Sequence, residues 1–567
     1  MRNSVYGFLK SIFYKLPIPD FIKIKLLAIW HKRDYLNYPK WIKLNEPADV
    51  DLRLQKQYLF SYQPQISIVT VIYKMSLNYF KEFLAAIQEQ TYDNWKLCIV
   101  DSSHERDKNI EKLCNKDKRI QYRFLGGDNG ISENTNEAIK LAEDGEYAAF
   151  MDYDEILAPF ALYESVKCIN EQPDVEFIYS DEDCIVNGKR SNPVFKPDYA
   201  PDTLRSWNYI GHFVVLKRHL VDSLGGFNSE YDGVQDYDFV LRASEATGKI
   251  HHIQKILCHK RIRKALPSVE SSAAVTEAGA RVIYSHIERL GLKGNVKPDE
   301  KHPGRFYVIY DVIGTPFVSI IIPNKDHMTT LKTCVDSVLE RSTYSNYEIV
   351  IVENNSENEE TFAYYRELEK HVKIRVLYYP EKGFNYSKLI NFGVRNCTSD
   401  YIVQLNNDTE VITPNWLELM LGFAQRPDVG AVGVKLLFPD GSIQHAGVVA
   451  SSDGFFHLLS GCHIVNYTAV TGACVMSRMK LYDIIGYMDD AFPVNFGDVD
   501  FCFKLRAKGF LIVYNPLVAL YHHESLTRGQ SETPEKQELS IKDRDVFFER
   551  WSDKICLDPY YRLSKIL

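Results

Sequence analysis

The residues most able to do chemistry in this chain are carboxylates placed where apolar runs stop. In "YAAFMDYDE" (147–155) an apolar stretch ends in Asp152 and Asp154, and in "WKLCIVDSS" (95–103) another ends in Asp101. A later acid, Asp236 in "GVQDYDFVLR", and a late histidine, His259 in "LCHKRI", complete the set. A single D-x-D carries little weight. Acids are welcome in turns, and the pattern recurs at Asp181/Asp183, Asp236/Asp238 and Asp498/Asp500. Taken together, the set suits cleavage of a sugar from a nucleoside diphosphate. The departing diphosphate must be neutralised, and hard Mg²⁺ or Mn²⁺ accepts carboxylate, imidazole and phosphate ligands. On this reading Asp154 binds the metal, His259 completes metal or diphosphate binding, and Asp152 accepts hydrogen bonds from the ribose. Asp101, an acceptor-only group, suits the nucleotide's base or ribose. The acceptor hydroxyl must lose its proton as it attacks, and Asp236 is the candidate base.

The same landmarks recur later in the same order. "ISIVTVIY" resembles "VSIIIPNK", and "WKLCIVDSS" resembles "YEIVIVENN", with equal spacing from 66 to 318 and from 95 to 347. Glu353 then corresponds to Asp101. "YIVQLNNDTE" (401–410) sets Asn406 against Asp152 and Asp408 against Asp154, and "FGDVDFCFKLR" sets Asp498 against Asp236. His522 or His523 in "YHHES" takes the place of His259. A long spacing of this kind is a domain duplication rather than a solenoid repeat.

Each unit alternates short β-branched runs with helical periodicity, as in "ISIVTVIY", "LNYFKEFLAAIQEQ" and "WKLCIVD". That alternation predicts an α/β fold with a mostly parallel sheet, which binds ligands beyond the carboxyl ends of its strands. Asp101 and Asp152 both stand just there. The expected organisation is an N-terminal segment (1–60), a first domain (61–265), a helical linker (266–312), a second domain (313–530) and a C-terminal helix and tail (531–567).

With 567 residues, 45% hydrophobic and 13% aromatic, the chain can bury large cores, and its net charge of −8 argues against a nucleic-acid partner. The 11 cysteines form no C-x-x-C pair, which reads as reduced, mostly buried cytoplasmic thiols rather than a zinc site or disulfide framework. No apolar run reaches the length of a membrane span. The N-terminus interleaves Arg2, Lys10, Lys15, Lys23, Lys25, Lys32 and Arg33 with aromatic and aliphatic residues, against one acid, Asp20. Two readings stay open for it: an interfacial anchor on the anionic inner face of the cytoplasmic membrane, or a helical cap on the first domain.

Both halves resemble family 2 glycosyltransferases of the GT-A fold. The first half does so in "YSDED" (179–183), "FKPDYAPDTLRSWNYIGH" (195–212), "GGF" and "QDYDFVLR". The second does so in "SIIIPNKD", "NYSKLINFGV", "IQHAGVV" (443–449), "TGAC" (471–474) and "YHHESLTRG". The resemblance is to bacterial O-antigen, capsule and other surface-polysaccharide enzymes. It implies inverting transfer from UDP- or dTDP-linked sugars to a lipid-linked or oligosaccharide acceptor. On it Asp236 and Asp498 are the catalytic bases, and Asp101, Asp152, Glu353 and Asn406 bind the donor nucleotide. Asp154, His259, Asp408 and His522 hold Mn²⁺ or Mg²⁺. Asp181, Asp183, His445, Thr471 and Gly472 are acceptor-side candidates, although His445 and His457 fit structural roles equally well.

Two departures stand out. Asn406 leaves Asp408 as the only metal-binding carboxylate of its loop, and Glu353 is one methylene longer than Asp101. Besides two active domains, one active domain beside a degenerate acceptor-holding one, or a non-catalytic glycan-binding scaffold, are the alternatives. A processive synthase is disfavoured, because "ERW" (549–551) is preceded by Phe547 where a Q-x-x-R-W signature needs Gln. A dinucleotide-binding dehydrogenase is disfavoured too, since "GGDNGIS" lacks G-x-G-x-x-G spacing.

Overall fold

The computed structural model describes residues 38–262, 273–451, 454–459, 461–523, 534–555 and 558–561. The basic stretch 1–33 lies outside the described residues, as do positions 524–529 of "YHHESLTRG".

The first unit is built on Ile66–Ile72 (β1), Trp95–Asp101 (β2), Ile120–Phe124 (β3), Tyr147–Phe150 (β4), Glu155–Leu157 (β5), Phe177–Val186 (β6), Lys189–Val194 (β7), Val214–Lys217 (β8) and Ile250–Arg261 (β9). Nearly every side chain of β1 is buried, as a central strand covered on both faces requires. In space the strands run β3-β2-β1-β4-β8-β6-β9-β5, with β7 on β6. The β3-β2-β1-β4 side is parallel, whereas β8 lies antiparallel to both β4 and β6. The helix Leu77–Gln88 starts at Ser76, whose hydroxyl accepts from the Tyr79 N–H. It buries Phe80, Phe83, Leu84 and Ile87, a spacing that puts one stripe on the sheet.

A helix, Ala273–Arg289, and a hairpin of Gly294–Pro298 (β10) and Phe306–Tyr310 (β11) lead to the second unit. Its strands are Val318–Asn324 (β12), Tyr347–Glu353 (β13), Ile374–Tyr378 (β14), Tyr401–Leu405 (β15), Thr409–Val411 (β16), Val429–Leu437 (β17), Ile443–His445 (β18), Val448–Ser451 (β19), Gly454–His457 (β20), Val465–Asn466 (β21), Cys474–Arg478 (β22) and Leu511–His522 (β23). The sheet order β14-β13-β12-β15-β22-β17-β23-β16 follows the same path as the first. Register repeats as well: Ile72 opposes Asp101 in one sheet and Asn324 opposes Glu353 in the other.

The segment expected as a linker is a structural wedge. Phe306, Val308 and Tyr310 are buried on alternate positions of β11, and the same apolar cluster takes in Phe150 and Phe177 of the first unit and Trp416 and Val432 of the second. Gly279 lets the ring of Phe306 approach: a Cβ there would stand 2.6 Å from its Cζ. Leaving three such side chains in water would cost about 1.5–3 kcal/mol each. An ion pair joins the units beside this wedge. Asp202, in the helix Pro201–Ser206, meets Arg426 of the second unit and accepts from Asn466 Nδ2 at 2.8 Å.

The C-terminal helix Pro534–Ile555 lies on the second unit. Phe547 is fully buried, Arg550 pairs with Asp500 at 2.9 Å, and Trp551 Nε1 donates to the same carboxylate. "ERW" therefore has a packing role. No helix among the described residues is long and apolar enough to cross a membrane.

Candidate active site

Each unit presents its acids at the carboxyl edge of the parallel strands. Asp101 ends β2 and is 2% exposed. Its Oδ1 accepts from Ser103 N at 3.0 Å and its Oδ2 from the Tyr122 hydroxyl at 2.6 Å. Burial and the neighbouring Asp101 push the Tyr122 phenol up, so it remains a donor. Glu353 holds the matching place in the second sheet and accepts from Ser356 N. Asp101 reaches the N–H two residues on, and the extra methylene of Glu353 reaches the one three residues on. Register puts Val376 where Tyr122 stands, so Glu353 lacks that phenolic donor.

Beyond β4, the antiparallel pairing with β8 decides the site. Phe150 opposes Val214, so two residues further out Asp152 opposes His212. The imidazole Nδ1 lies 2.8 Å from Asp152 Oδ2 and 3.2 Å from Glu155 Oε1, and Nε2 lies 3.8 Å from Asp236 Oδ2. Sheet register adds a second cation: Lys260 opposes Glu155 across β5 and β9, within electrostatic reach of Asp152, Glu182 and Asp236. The turn before His212 needs Gly211. Its φ is 78°, and a Cβ there would stand 2.8 Å from Glu182 Oε2, which is paired with Lys196.

These charges tune one another. Asp152 drives the His212 imidazole well above its ordinary value despite burial, so it is a cation at neutral pH. Burial alone would raise Asp152, but the His212 charge outweighs it and holds that carboxyl low. Asp236 goes the other way: burial raises it to about 6, with Asp152 and Glu155 adding to the rise and His212 opposing it. A base must be ionised to act, so first-unit transfer should fall about tenfold per pH unit below about 6. His212→Gln removes the main opposing charge and should move that acidic limb to higher pH. A kcat/KM profile whose limb sits near 4, or does not move in the variant, would refute the coupling.

Three expectations need correction here. Side chains alternate across a strand, so His259 and Lys260 face opposite sides of β9. His259 opposes Ile156 and Asp183 and gives its Nδ1 to Asp183 Oδ1 at 2.7 Å, on the face away from Asp152 and Asp236. It is not a ligand at the carboxylate edge. Asp183 is fully buried, bound also by Arg190 at 2.7 Å, and Arg190 in turn holds Glu46 at the end of the helix Tyr38–Asn45. Asp181 is equally buried and accepts from Lys196 N at 2.8 Å, with His252 Nε2 at 2.8 Å. Asp181 and Asp183 of "YSDED" tie strands and the helix Tyr38–Asn45 together, and neither is offered to an acceptor.

In the second unit register places His522 opposite Thr409, the position of Lys260 in the first, which settles which histidine faces the loop. His522 Nδ1 lies 2.7 Å from Gln444 Oε1, an acceptor, so Nδ1 carries the hydrogen and Nε2 is left toward Asp408 Oδ1 at 3.2 Å. His523 turns instead to Glu410. Asn406 Nδ2 lies 3.4 Å from His522 Nε2. Asp498 accepts from Gly472 N at 2.7 Å and from Val499 N at 2.9 Å, so Gly472 positions the candidate base. The Thr471 hydroxyl accepts from Ala473 N at 3.4 Å. His445 is 1% exposed, shares a 3.1 Å ring contact with His457, and is held neutral by burial and by that neighbour. It lines no acceptor surface, a further correction.

The two sites thus share Asp154/Asp408 and Asp236/Asp498 and differ around them. Asp152, Glu155, His212 and Lys260 correspond by register to Asn406, Thr409, Ala473 and His522. A metal fits the second set, where a carboxylate and an oriented imidazole converge. In the first, one ligand atom each of Asp152, Glu155 and His212 lies within 4.8 Å of the others, but His212 would have to give up its proton. His212 and Lys260 were missed from sequence because only the antiparallel pairings bring them to the edge.

The family model described as glycosyl transferase family 2 matches residues 67–225 and again 319–485. Uncharacterized protein y4gI of Sinorhizobium fredii is 37% identical over 521 residues, covering 88% of this chain and 57% of its own. O-antigen biosynthesis protein RfbC of Myxococcus xanthus is 35% identical over 520 residues, covering 88% of this chain and 40% of its own. The chain therefore spans about half the length of these relatives. Among solved structures, GalNAc-T7 with UDP, GalNAc and Mn2+ aligns with a TM-score of 0.37 at 14% identity, over 44% of this chain and 52% of that one. S. aureus TarS 1-349 in complex with UDP aligns with a TM-score of 0.33 at 18% identity, over 39% of this chain and 65% of that one.

Proposed function

Because the chain belongs to glycosyl transferase family 2, matched once in each half, we propose that it is a bifunctional glycosyltransferase building a bacterial surface glycan from nucleotide sugars. The observation that carries this reading is the recurrence of Asp154/Asp236 and Asp408/Asp498 on two sheets of one topology. Asp101 and Glu353 receive the nucleotide. Asp152 in the first unit and Asn406 in the second accept from the ribose. Asp236 and Asp498 take the proton of the attacking hydroxyl, giving inverting transfer.

The units differ in how they meet the diphosphate. In the second, Asp408 and His522 would hold a divalent ion, which supplies positive charge for the leaving phosphates. In the first, Asp154 remains the metal-side carboxylate, while Lys260 and protonated His212 add fixed positive charge of their own. Asn406, Thr409 and Ala473 support a second reading, in which the second unit only holds the acceptor.

Incubating the purified protein with a panel of nucleotide sugars and scoring nucleotide release tests both. Release from at least one donor is expected, and chelation by EDTA should suppress the second unit's step more than the first's. No release from any donor, with oligosaccharide acceptor present, would overturn the enzymatic reading.

A further inference from the structure

A cluster of a different chemical character lies where the hairpin, the first unit and the second unit meet. His302 stands in the turn between β10 and β11, and Cys462 and His463 lie in the segment between β20 and β21. One ligand atom of each lies within 4.8 Å of the others. Asp299 completes the group: its Oδ2 lies 2.8 Å from His302 Nδ1 and 3.1 Å from His463 Nε2, and Cys462 Sγ lies 3.9 Å from the same Nε2. From bond lengths of about 2.0–2.3 Å, a tetrahedral zinc shell needs donor atoms about 3.3–3.8 Å apart. The observed gaps, 2.8, 3.1 and 3.9 Å, lie on either side of that range, and small side-chain rotations reach it.

From this geometry we propose a second metal site, Asp299–His302–Cys462–His463, selective for a borderline-soft divalent transition ion such as Zn²⁺. Imidazole and thiolate donors suit zinc and not Mg²⁺, which separates this site from the carboxylate edges. The surroundings already orient the ligands, as outer partners of metal sites do. The single Tyr307 hydroxyl hydrogen is shared between two acceptors, Asp299 Oδ2 at 3.0 Å and the Cys462 carbonyl oxygen at 2.8 Å, while its ring stacks on His463. Trp207 of the first unit packs edge-on against His463 and under the Arg305 guanidinium. Among the ten described cysteines Cys462 alone is exposed, so an ion can reach it. Binding releases the thiol proton to solvent and involves no redox change. A metal here would pin the hairpin to the second unit against Trp207 and so set the angle between the two units.

The probe is Co²⁺ alone, added to the chelator-treated full chain. One equivalent should produce a near-ultraviolet thiolate-to-cobalt band and visible tetrahedral bands, and Zn²⁺ should bleach both. Cys462→Ser should lose the thiolate band with its circular dichroism unchanged, and His302→Ala should weaken Co²⁺ binding at least about tenfold. Absence of the thiolate band in the natural chain, its persistence in Cys462→Ser, or undiminished affinity in His302→Ala would overturn the proposal.

Discussion

Asp236→Asn is expected to eliminate one transfer step and Asp498→Asn a different one, each by about 10²–10⁴-fold. The amide keeps the carboxylate's shape but cannot take the proton of the attacking hydroxyl, so chemistry should fail while nucleotide affinity changes little. Local cost differs between the two. Asp498 uses both oxygens on backbone N–H groups, and Asn can satisfy only one of them, so a modest fall in melting temperature should accompany the lost activity. Asp236 is held by Gln235 and His212, and its replacement should leave the fold intact. Product analysis should show a distinct truncated glycan for each variant, and mixing the two should restore extension if the intermediate diffuses. If Asp498→Asn leaves every product unchanged, the second unit is not a transferase and the acceptor-holding reading stands.

The largest expected loss of stability comes from Asp202→Ala. Asp202 and Arg426 are 2% and 3% exposed, and the carboxylate also meets Arg205 at 3.3 Å and Asn466 at 2.8 Å. Removing one partner of a buried pair strands the other's charge, at about 3–5 kcal/mol. Burial alone would raise the Asp202 carboxyl, but Arg426 and then Arg205 outweigh it and hold it below the usual range. A depressed folded value means this stabilisation is complete above the unfolded carboxyl's range and is lost as pH falls through the folded one. The gap between natural and variant protein should therefore narrow in acid. Denaturant unfolding at neutral pH checks the size. A loss under about 1 kcal/mol would mean that the pair does not hold the units together. Adding Arg426→Met to Asp202→Ala should recover part of the loss, because Arg426 no longer leaves a stranded charge and only Arg205, bonded to His286, stays buried without its carboxylate.

Much was legible in the sequence because it depends on local pattern. β1 and β12 announce themselves as continuous β-branched runs, the helix Leu77–Gln88 by its spacing of Phe80, Phe83, Leu84 and Ile87, and the duplication by equal spacing between matched segments. Parallel strands connected through helices must end at one edge, so the sequence places Asp101 and Asp152 there, and the repeat carries that placement to Glu353 and Asn406. What local pattern cannot carry is the face on which a residue lands in a strand paired across a long separation. His259 looked like the ligand because it follows the acids in order, yet a strand alternates, and one residue of register gives the edge to Lys260 and sends His259 to Asp183. His212 reaches Asp152 only through the antiparallel β4–β8 pairing, and His302 meets Cys462 only once the hairpin wedges between the units. Sequence determined the kind of sheet and the acids at its edge. Tertiary structure decided which cations stand beside them, because that choice rests on the pairing of strands far apart in the chain.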